Sequence, residues 1–165
     1  MADILYRNLV ETDIEQLHAL VSDWEVVRQM GSWPWPADRE FTANRCKPYA
    51  GRGFVWGIFA PTLIGTVSVT EGELGYMLAP SHWGQGIMSK MTVIAINHGF
   101  RDPSLLEMTA SVWADNPGSR RVLTKLGFTL SRNGTEHALA RDEETALEYY
   151  SLQRDVWQRL RSGAQ

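Results

Sequence analysis

The feature that most restricts this chain is the stretch His82-Trp83-Gly84-Gln85-Gly86-Ile87-Met88-Ser89, set between a short apolar run and a long helical pattern. Two glycines one residue apart let the main chain curl, so that successive N–H groups and the positive end of the following helix converge on one concavity. Such a concavity suits a phosphate or pyrophosphate. It also serves as a tight strand-to-helix turn with no ligand, and both readings stand on this motif alone. A dinucleotide-binding βαβ unit would need a third glycine at Ser89 and an acidic residue about 20 positions on, at a strand end. Glu107 falls instead near the start of its strand, which disfavours that fold.

The patterns on either side of the loop set the fold class. Ile4 to Val10 is rich in strand formers, and Thr12 is positioned to cap a helix with Ile14, Leu17, Leu20 and Val21 on one face. Trp24, Val27 and Met30 continue an apolar stripe up to Gly31, and Trp33-Pro34-Trp35-Pro36 then halts any helix. Weak helical character returns over Ala37 to Tyr49. Phe54 to Ala60 and Leu63 to Thr70 predict two strands joined at Pro61-Thr62, with Glu73 to Ala79 as the third strand of one antiparallel meander. Ser89 to Phe100 predicts a helix with Met91, Ile94, Ala95 and His98 on one face. Leu105 to Trp113 predicts a strand, Pro117 to Leu126 a helix stopped by Gly127, and Ala146 to Gln153 a strand near the end. The order is β-α-α-β-β-β-α-β-α-β-β. The helical crossover from the third meander strand to Leu105 requires a locally parallel pair. The expected architecture is therefore α+β, with one mixed, mostly antiparallel sheet flanked by helices. A chain of 165 residues is expected to form a single domain over 1–165.

Composition removes several function classes. The formal charge is −3 and no basic run appears, so a nucleic-acid partner is not expected. The longest largely apolar stretch, Phe54 to Ala60, falls far short of the roughly 18 residues of a spanning helix, so membrane insertion is not expected either. With one cysteine, Cys46, and no basic leader, the expected compartment is the cytoplasm. His18, His82, His98 and His137 are scattered without ligand spacing, and no metal site is expected. No Gly-x-Ser-x-Gly elbow is present, and Cys46 has no nearby His or Asn in a nucleophile signature, so covalent catalysis lacks support.

A second motif follows the glycine loop by about thirty residues: Asn116-Pro117-Gly118-Ser119, then Val122, Leu123, Lys125 and Gly127-Phe128. Alone it reads as a helix N-cap, a first-turn proline and a terminating glycine. Together with Leu74-Gly75-Tyr76-Met77-Leu78 and Trp83-Gly84-Gln85-Gly86, it makes the chain resemble the GNAT superfamily of acetyl-CoA-dependent N-acetyltransferases. Within that superfamily it is similar to the RimJ/RimL-like branch of ribosomal-protein N-terminal acetyltransferases, and the likeness covers most of the chain. The resemblance implies a GNAT fold and an enzyme that uses acetyl-CoA, without a metal, to acetylate a primary amine. The implied acceptor is a protein N-terminal α-amine; the alternatives are a small-molecule amine, or a non-catalytic module that only binds the coenzyme. A monomer or a homodimer is expected.

The resemblance also implies site residues. Gly84, Gln85, Gly86, Ile87, Met88 and Ser89 would give main-chain donors to the coenzyme pyrophosphate. Tyr76, Met77 and Leu78 would pair with the pantetheine arm, Asn116 would lie near that arm, and the main chain around Met77 and Leu78 would polarise the thioester oxygen. Two departures stand out. Met88 occupies a position where the family has Gly or Ala, so its side chain must point away from the phosphates. Leu123 stands where many members carry a Tyr that protonates the leaving thiolate, and Ser119 inherits that candidacy. Glu73 is a candidate for acceptor deprotonation, or else a solvent-facing strand carboxylate; Glu136 and His137 lie in a polar segment and are weaker candidates. Trp33 and Trp35, braced by prolines, would form a wall against the acceptor, with core packing as the other reading.

Overall fold

The computed structural model describes residues 3–163. Seven strands form one sheet in the order β1-β2-β3-β4-β5-β7-β6. The strands are β1 (Leu5–Asn8), β2 (Gly53–Phe59), β3 (Leu63–Thr70), β4 (Glu73–Leu78), β5 (Glu107–Trp113), β6 (Thr129–Ala138) and β7 (Glu143–Gln153). Helices α1 (Ile14–Val21), α2 (Trp24–Val27) and α3 (Arg39–Arg45) precede β2; α4 (Ile87–Gly99), α5 (Pro117–Leu126) and α6 (Arg154–Ser162) come later. The mixed α+β architecture and the β2–β3–β4 meander are as the sequence predicts, and β4–β5 is the one parallel pair of the sheet. The β3–β4 turn has two central residues, Glu71 and Gly72, both in the left-handed region (φ 51° and 83°). That geometry matches the twist of a two-residue hairpin, and the glycine adopts it without steric cost.

Alternation along the strands divides the core in two. Val67, Val69, Leu74, Met108, Ala110 and Val112 pack with Met91, Ala95, Leu123 and Trp157 of the later helices. Leu63, Phe59 and Met77 pack on the other face with Leu17, Val21, Val27 and Trp33.

The element order differs from the expected one in two places. Three helices rather than two precede β2, because Asp23 and Asp38 each accept a first-turn N–H and so begin separate short helices. The terminal helix α6 is not anticipated at all. Its segment is strongly polar, and its place is decided by contacts distant in sequence: buried Trp157 donates to Asn97 Oδ1 at 2.9 Å, and Arg154 caps the carbonyls of Phe100, Asp102 and Leu105. Smaller corrections concern caps and faces. Thr12 does not cap α1; Asp13 instead accepts the Val10 N–H and pairs with Arg7 at 2.7 and 2.9 Å. Met91 and Ala95 are buried as expected, whereas His98 is exposed and packs edge-on against Phe54 and Trp56.

One irregularity positions the site. β4 and β5 share a single register pair, Glu73 with Thr109, next to a 2.9 Å bond from Thr109 N–H to the Gly72 carbonyl. Beyond it the two strands part, since β4 stays in register with β3 to Leu78 while β5 follows β7.

Candidate active site

The parted strands leave main-chain groups of β4 facing a gap, and strand alternation says which. The Gly72 carbonyl points to β5, and the Ala79 N–H donates to the Ile64 carbonyl on the β3 side at 2.7 Å. N–H and C=O of one residue share a direction, and neighbours alternate, so Leu74, Tyr76 and Leu78 face the gap while Gly75 and Met77 face β3. This corrects the sequence reading of Met77. Its main chain belongs to the β3 ladder and its side chain to the core beside α1. Trp83 closes one of the exposed positions, its indole N–H donating to the Leu78 carbonyl at 2.7 Å.

At the end of β4 the chain turns through the glycine loop into α4. Gly84 and Gly86 both have φ in the left-handed region, 70° and 75°, and a Cβ built on either meets nothing within 4 Å. The space beside them is open, as a cradle for a ligand requires. The first helical bond of α4 runs from Lys90 N–H to the Gly86 carbonyl, so the N–H groups of Ile87, Met88 and Ser89 have no partner within the helix. Met88 is 7% exposed and packs in the core, so its side chain turns away from the loop. The departure at this position therefore leaves the cradle clear.

Across the gap, α5 begins as the sequence predicts. Asn116 is its N-cap, the side-chain oxygen accepting the Ser119 N–H at 3.1 Å, and Pro117 follows in the first turn. The start of α5 is fixed further by Arg120, whose guanidinium holds both oxygens of Glu148 at 2.9 Å and the Ala114 carbonyl at 2.7 Å. The Arg120 guanidinium in turn keeps the Glu148 carboxyl below the usual carboxylate range. Leu123 is 1% exposed and wholly committed to the core. The polar group that reaches Ser119 comes from β4: the Tyr76 hydroxyl lies 2.6 Å from Ser119 Oγ and 3.3 Å from the Ser119 carbonyl. Burial pushes the Tyr76 phenol up to about 12.

The opposite face carries the acceptor candidates. Glu73 is exposed and accepts the Ser111 hydroxyl at 3.1 Å. Further along that face Tyr149 donates to Glu136, and Arg132 stacks over the Tyr149 ring at 3.4 Å. His137 lies beside Asp142 and Glu144 on the β6–β7 hairpin. The two tryptophans of the Trp-Pro loop separate. Trp33 is 7% exposed and packs edge-on against Phe41, so it belongs to the core, contrary to its expected place in a wall. Trp35 is 42% exposed and pairs instead with Trp24, the ring centres 5.1 Å apart. Arg141 anchors this side: its guanidinium holds Asp115 at 2.7 and 3.0 Å, the Arg28 carbonyl at 2.8 Å and Gln29 at 3.1 Å. Asp115 is lowered by that bond. Among the described residues no group of three or more His, Cys, Asp or Glu side chains is placed to hold a metal ion, and no helix is long and apolar enough to cross a membrane.

With this geometry in place, the sequence profile of the acetyltransferase (GNAT) domain matches residues 3–129. The chain belongs to the GNAT acetyltransferase family. An uncharacterised N-acetyltransferase of Bacillus subtilis is 29% identical over 140 residues, covering 76% of this chain and 78% of that protein. A ribosomal-protein-serine acetyltransferase of Escherichia coli is 35% identical over 75 residues, 41% of this chain and 42% of that protein. Among solved structures, a ribosomal-protein alanine acetyltransferase from Vibrio fischeri superposes with a TM-score of 0.73 at 19% identity, covering 93% of this chain and 94% of that one. A spermidine N-acetyltransferase from Vibrio cholerae gives 0.78 at 16% identity, covering 96% and 99%. These likenesses show that the GNAT fold extends past the profile match to α6.

Three features of this acetyltransferase escape sequence reading. The Tyr76 phenol and Arg141 acquire their places only through partners remote in the chain, Ser119 43 positions on and the Arg28 carbonyl 113 positions back, while Trp24 meets Trp35 across the Trp-Pro loop. Tyr76 alone had a usable signal, being a large polar aromatic inside an apolar strand, which must find a partner when buried.

Proposed function

We propose that this acetyltransferase transfers the acetyl group of acetyl-CoA to a protein N-terminal α-amine by direct attack within a ternary complex. The observation that supports it most is the opening of β4 away from β5 beside Ser119, with the glycine cradle at the end of the same strand. The main-chain N–H groups of Gly84 to Ser89 would hold the pyrophosphate, and the gap-facing main chain of Tyr76 and Leu78 would hold the pantetheine arm. When bound, the coenzyme supplies the activated acyl group. The Leu78 N–H is then placed to donate to the oxyanion that develops as the amine adds, and Ser119 to stabilise the departing thiolate. The Tyr76 N–H, two residues back along the strand, stays with the pantetheine arm. As the carbon–nitrogen bond forms and the carbon–sulfur bond breaks, the amine loses a proton, which Glu73 receives from the acceptor face. The E. coli relative named for a ribosomal-protein serine supports a protein acceptor, as does the exposed Trp24–Trp35 pair, which offers flat apolar surface to a peptide.

A thiol-release assay across peptides with free N-termini, polyamines and other small amines tests this. Turnover with peptides is the expected result; turnover confined to small amines overturns the acceptor class, and coenzyme binding with silence across the panel overturns catalysis. In the same assay Ser119→Ala lowers kcat about tenfold with coenzyme Kd unchanged, and Glu73→Gln lowers kcat/KM for the amine by about a hundredfold. Wild-type values in either variant remove that residue from the mechanism.

A further inference from the structure

We infer that Tyr76 is a positioning residue for the transfer, its phenol fixing the rotamer and hydrogen direction of Ser119; this rests on the acetyl-transfer reading above. Tyr76 belongs to both walls of the gap. Its N–H and C=O face the opening, as strand alternation requires, and its side chain crosses to the first turn of α5. Both contacts of the hydroxyl are to one residue, Ser119 Oγ at 2.6 Å and the Ser119 carbonyl at 3.3 Å.

A serine hydroxyl rotates freely and has one hydrogen to give. When the phenol gives its one hydrogen to Ser119 Oγ at 2.6 Å rather than to the Ser119 carbonyl at 3.3 Å, the serine's own hydrogen is left for a second acceptor. Without the phenol, Ser119 Oγ is free to turn to other staggered rotamers, and the helix start offers competing carbonyls. The rest of the surroundings already fixes Ser119 without Tyr76: Asn116 caps its N–H, and Arg120 binds α5 to β7 through Glu148. The backbone of Ser119 is thus held independently, and what Tyr76 adds is the direction of the side chain. Burial pushes the phenol up to about 12, so it stays neutral and takes no proton in the reaction; the amine gives up one proton and the thiolate gains one.

The test is a double-mutant cycle read in kcat, acceptor KM and coenzyme Kd. Tyr76→Phe keeps the ring that fills the space between β4 and α5, so the fold is retained, and kcat is expected to fall about tenfold, the effect of one lost hydrogen bond. Coenzyme Kd and acceptor KM should stay within about twofold. In a Ser119→Ala background the same substitution should have no further effect on kcat, because the hydroxyl it orients is gone. Additive losses in the cycle, or wild-type kcat in Tyr76→Phe, overturn the assignment while leaving acetyl transfer intact. A wild-type protein that binds coenzyme and acetylates no amine overturns the acetyl-transfer reading and this assignment with it.

Discussion

The two sides of the opening are built by different means. On the coenzyme side, from Tyr76 to Ser89, the working groups are main-chain N–H donors, exposed by two left-handed glycines and by a strand that loses its neighbour. On the acceptor side, the wall is made of side chains: Trp24 against Trp35, Arg141 holding Asp115 and the end of α2, Tyr149 on Glu136. The first construction tolerates change in side chains that point away, as Met88 and Leu123 show by packing into the core. The second changes whenever one of its side chains changes, because the side chains themselves form the wall. A main-chain site can thus stay constant while a side-chain wall is rebuilt for another acceptor.

The contrast predicts separable defects. The largest is expected at Gly86: its φ of 75° suits a β-branched residue poorly, at a cost of order 1–3 kcal/mol. Gly86→Val should drive the loop out of the geometry that gathers its N–H groups and raise coenzyme Kd about a hundredfold by calorimetry. An unchanged Kd would show that the cradle is not the coenzyme site.

Next comes Arg141→Ala, which removes a guanidinium whose side chain is only 7% exposed and frees Asp115, the Arg28 carbonyl and Gln29 together. A loss of about 2 kcal/mol is expected, seen as a lower Tm, with coenzyme Kd unchanged. Its pH dependence has a defined sign. Asp115 titrates below its ordinary 3.8 in the folded state, so this stabilisation is complete above that value and is lost as pH falls through the lower folded value. The gap in stability between wild type and Arg141→Ala should therefore narrow only in acid below 3.8; a gap constant through that range would separate Arg141 from Asp115.

The smallest effect is expected from Trp35→Ala, which should raise acceptor KM about threefold to tenfold without touching coenzyme binding or Tm. A Tm loss comparable to that of a core tryptophan would place Trp35 with Trp33 and break the distinction between them.

Read residue by residue, the sequence carried most of the frame. The meander from Phe54 to Ala79, the helix from Pro117 to the Gly127 stop and the parallel crossover into β5 all follow from local signals. So does the glycine cradle, because φ above zero is a property of one residue and its neighbours. What failed lay where local signals are weak. The segment after Gln153 carries only a short apolar stripe, Val156, Trp157 and Leu160, on a strongly polar helix, and its place is fixed where Trp157 finds Asn97 and Arg154 finds three carbonyls. Trp33 and Trp35 are equivalent in sequence, each followed by a proline, yet one enters the core and the other faces outward.

The amino-acid sequence by itself thus determined the β2–β3–β4 meander and the crossover into β5, the helix start at Asn116 and the loop at Gly84 and Gly86, since turn geometry, capping and hydrophobic period act over a few residues. The polar segment over β6, by contrast, became a strand only by pairing with β7. Only the tertiary structure decided that Tyr76 meets Ser119, that Met77 belongs to the β3 ladder, and that Arg141 closes the acceptor side. Those outcomes depend on which strand parts from which and on how chain segments far apart in sequence are brought together, and no short-range preference encodes either.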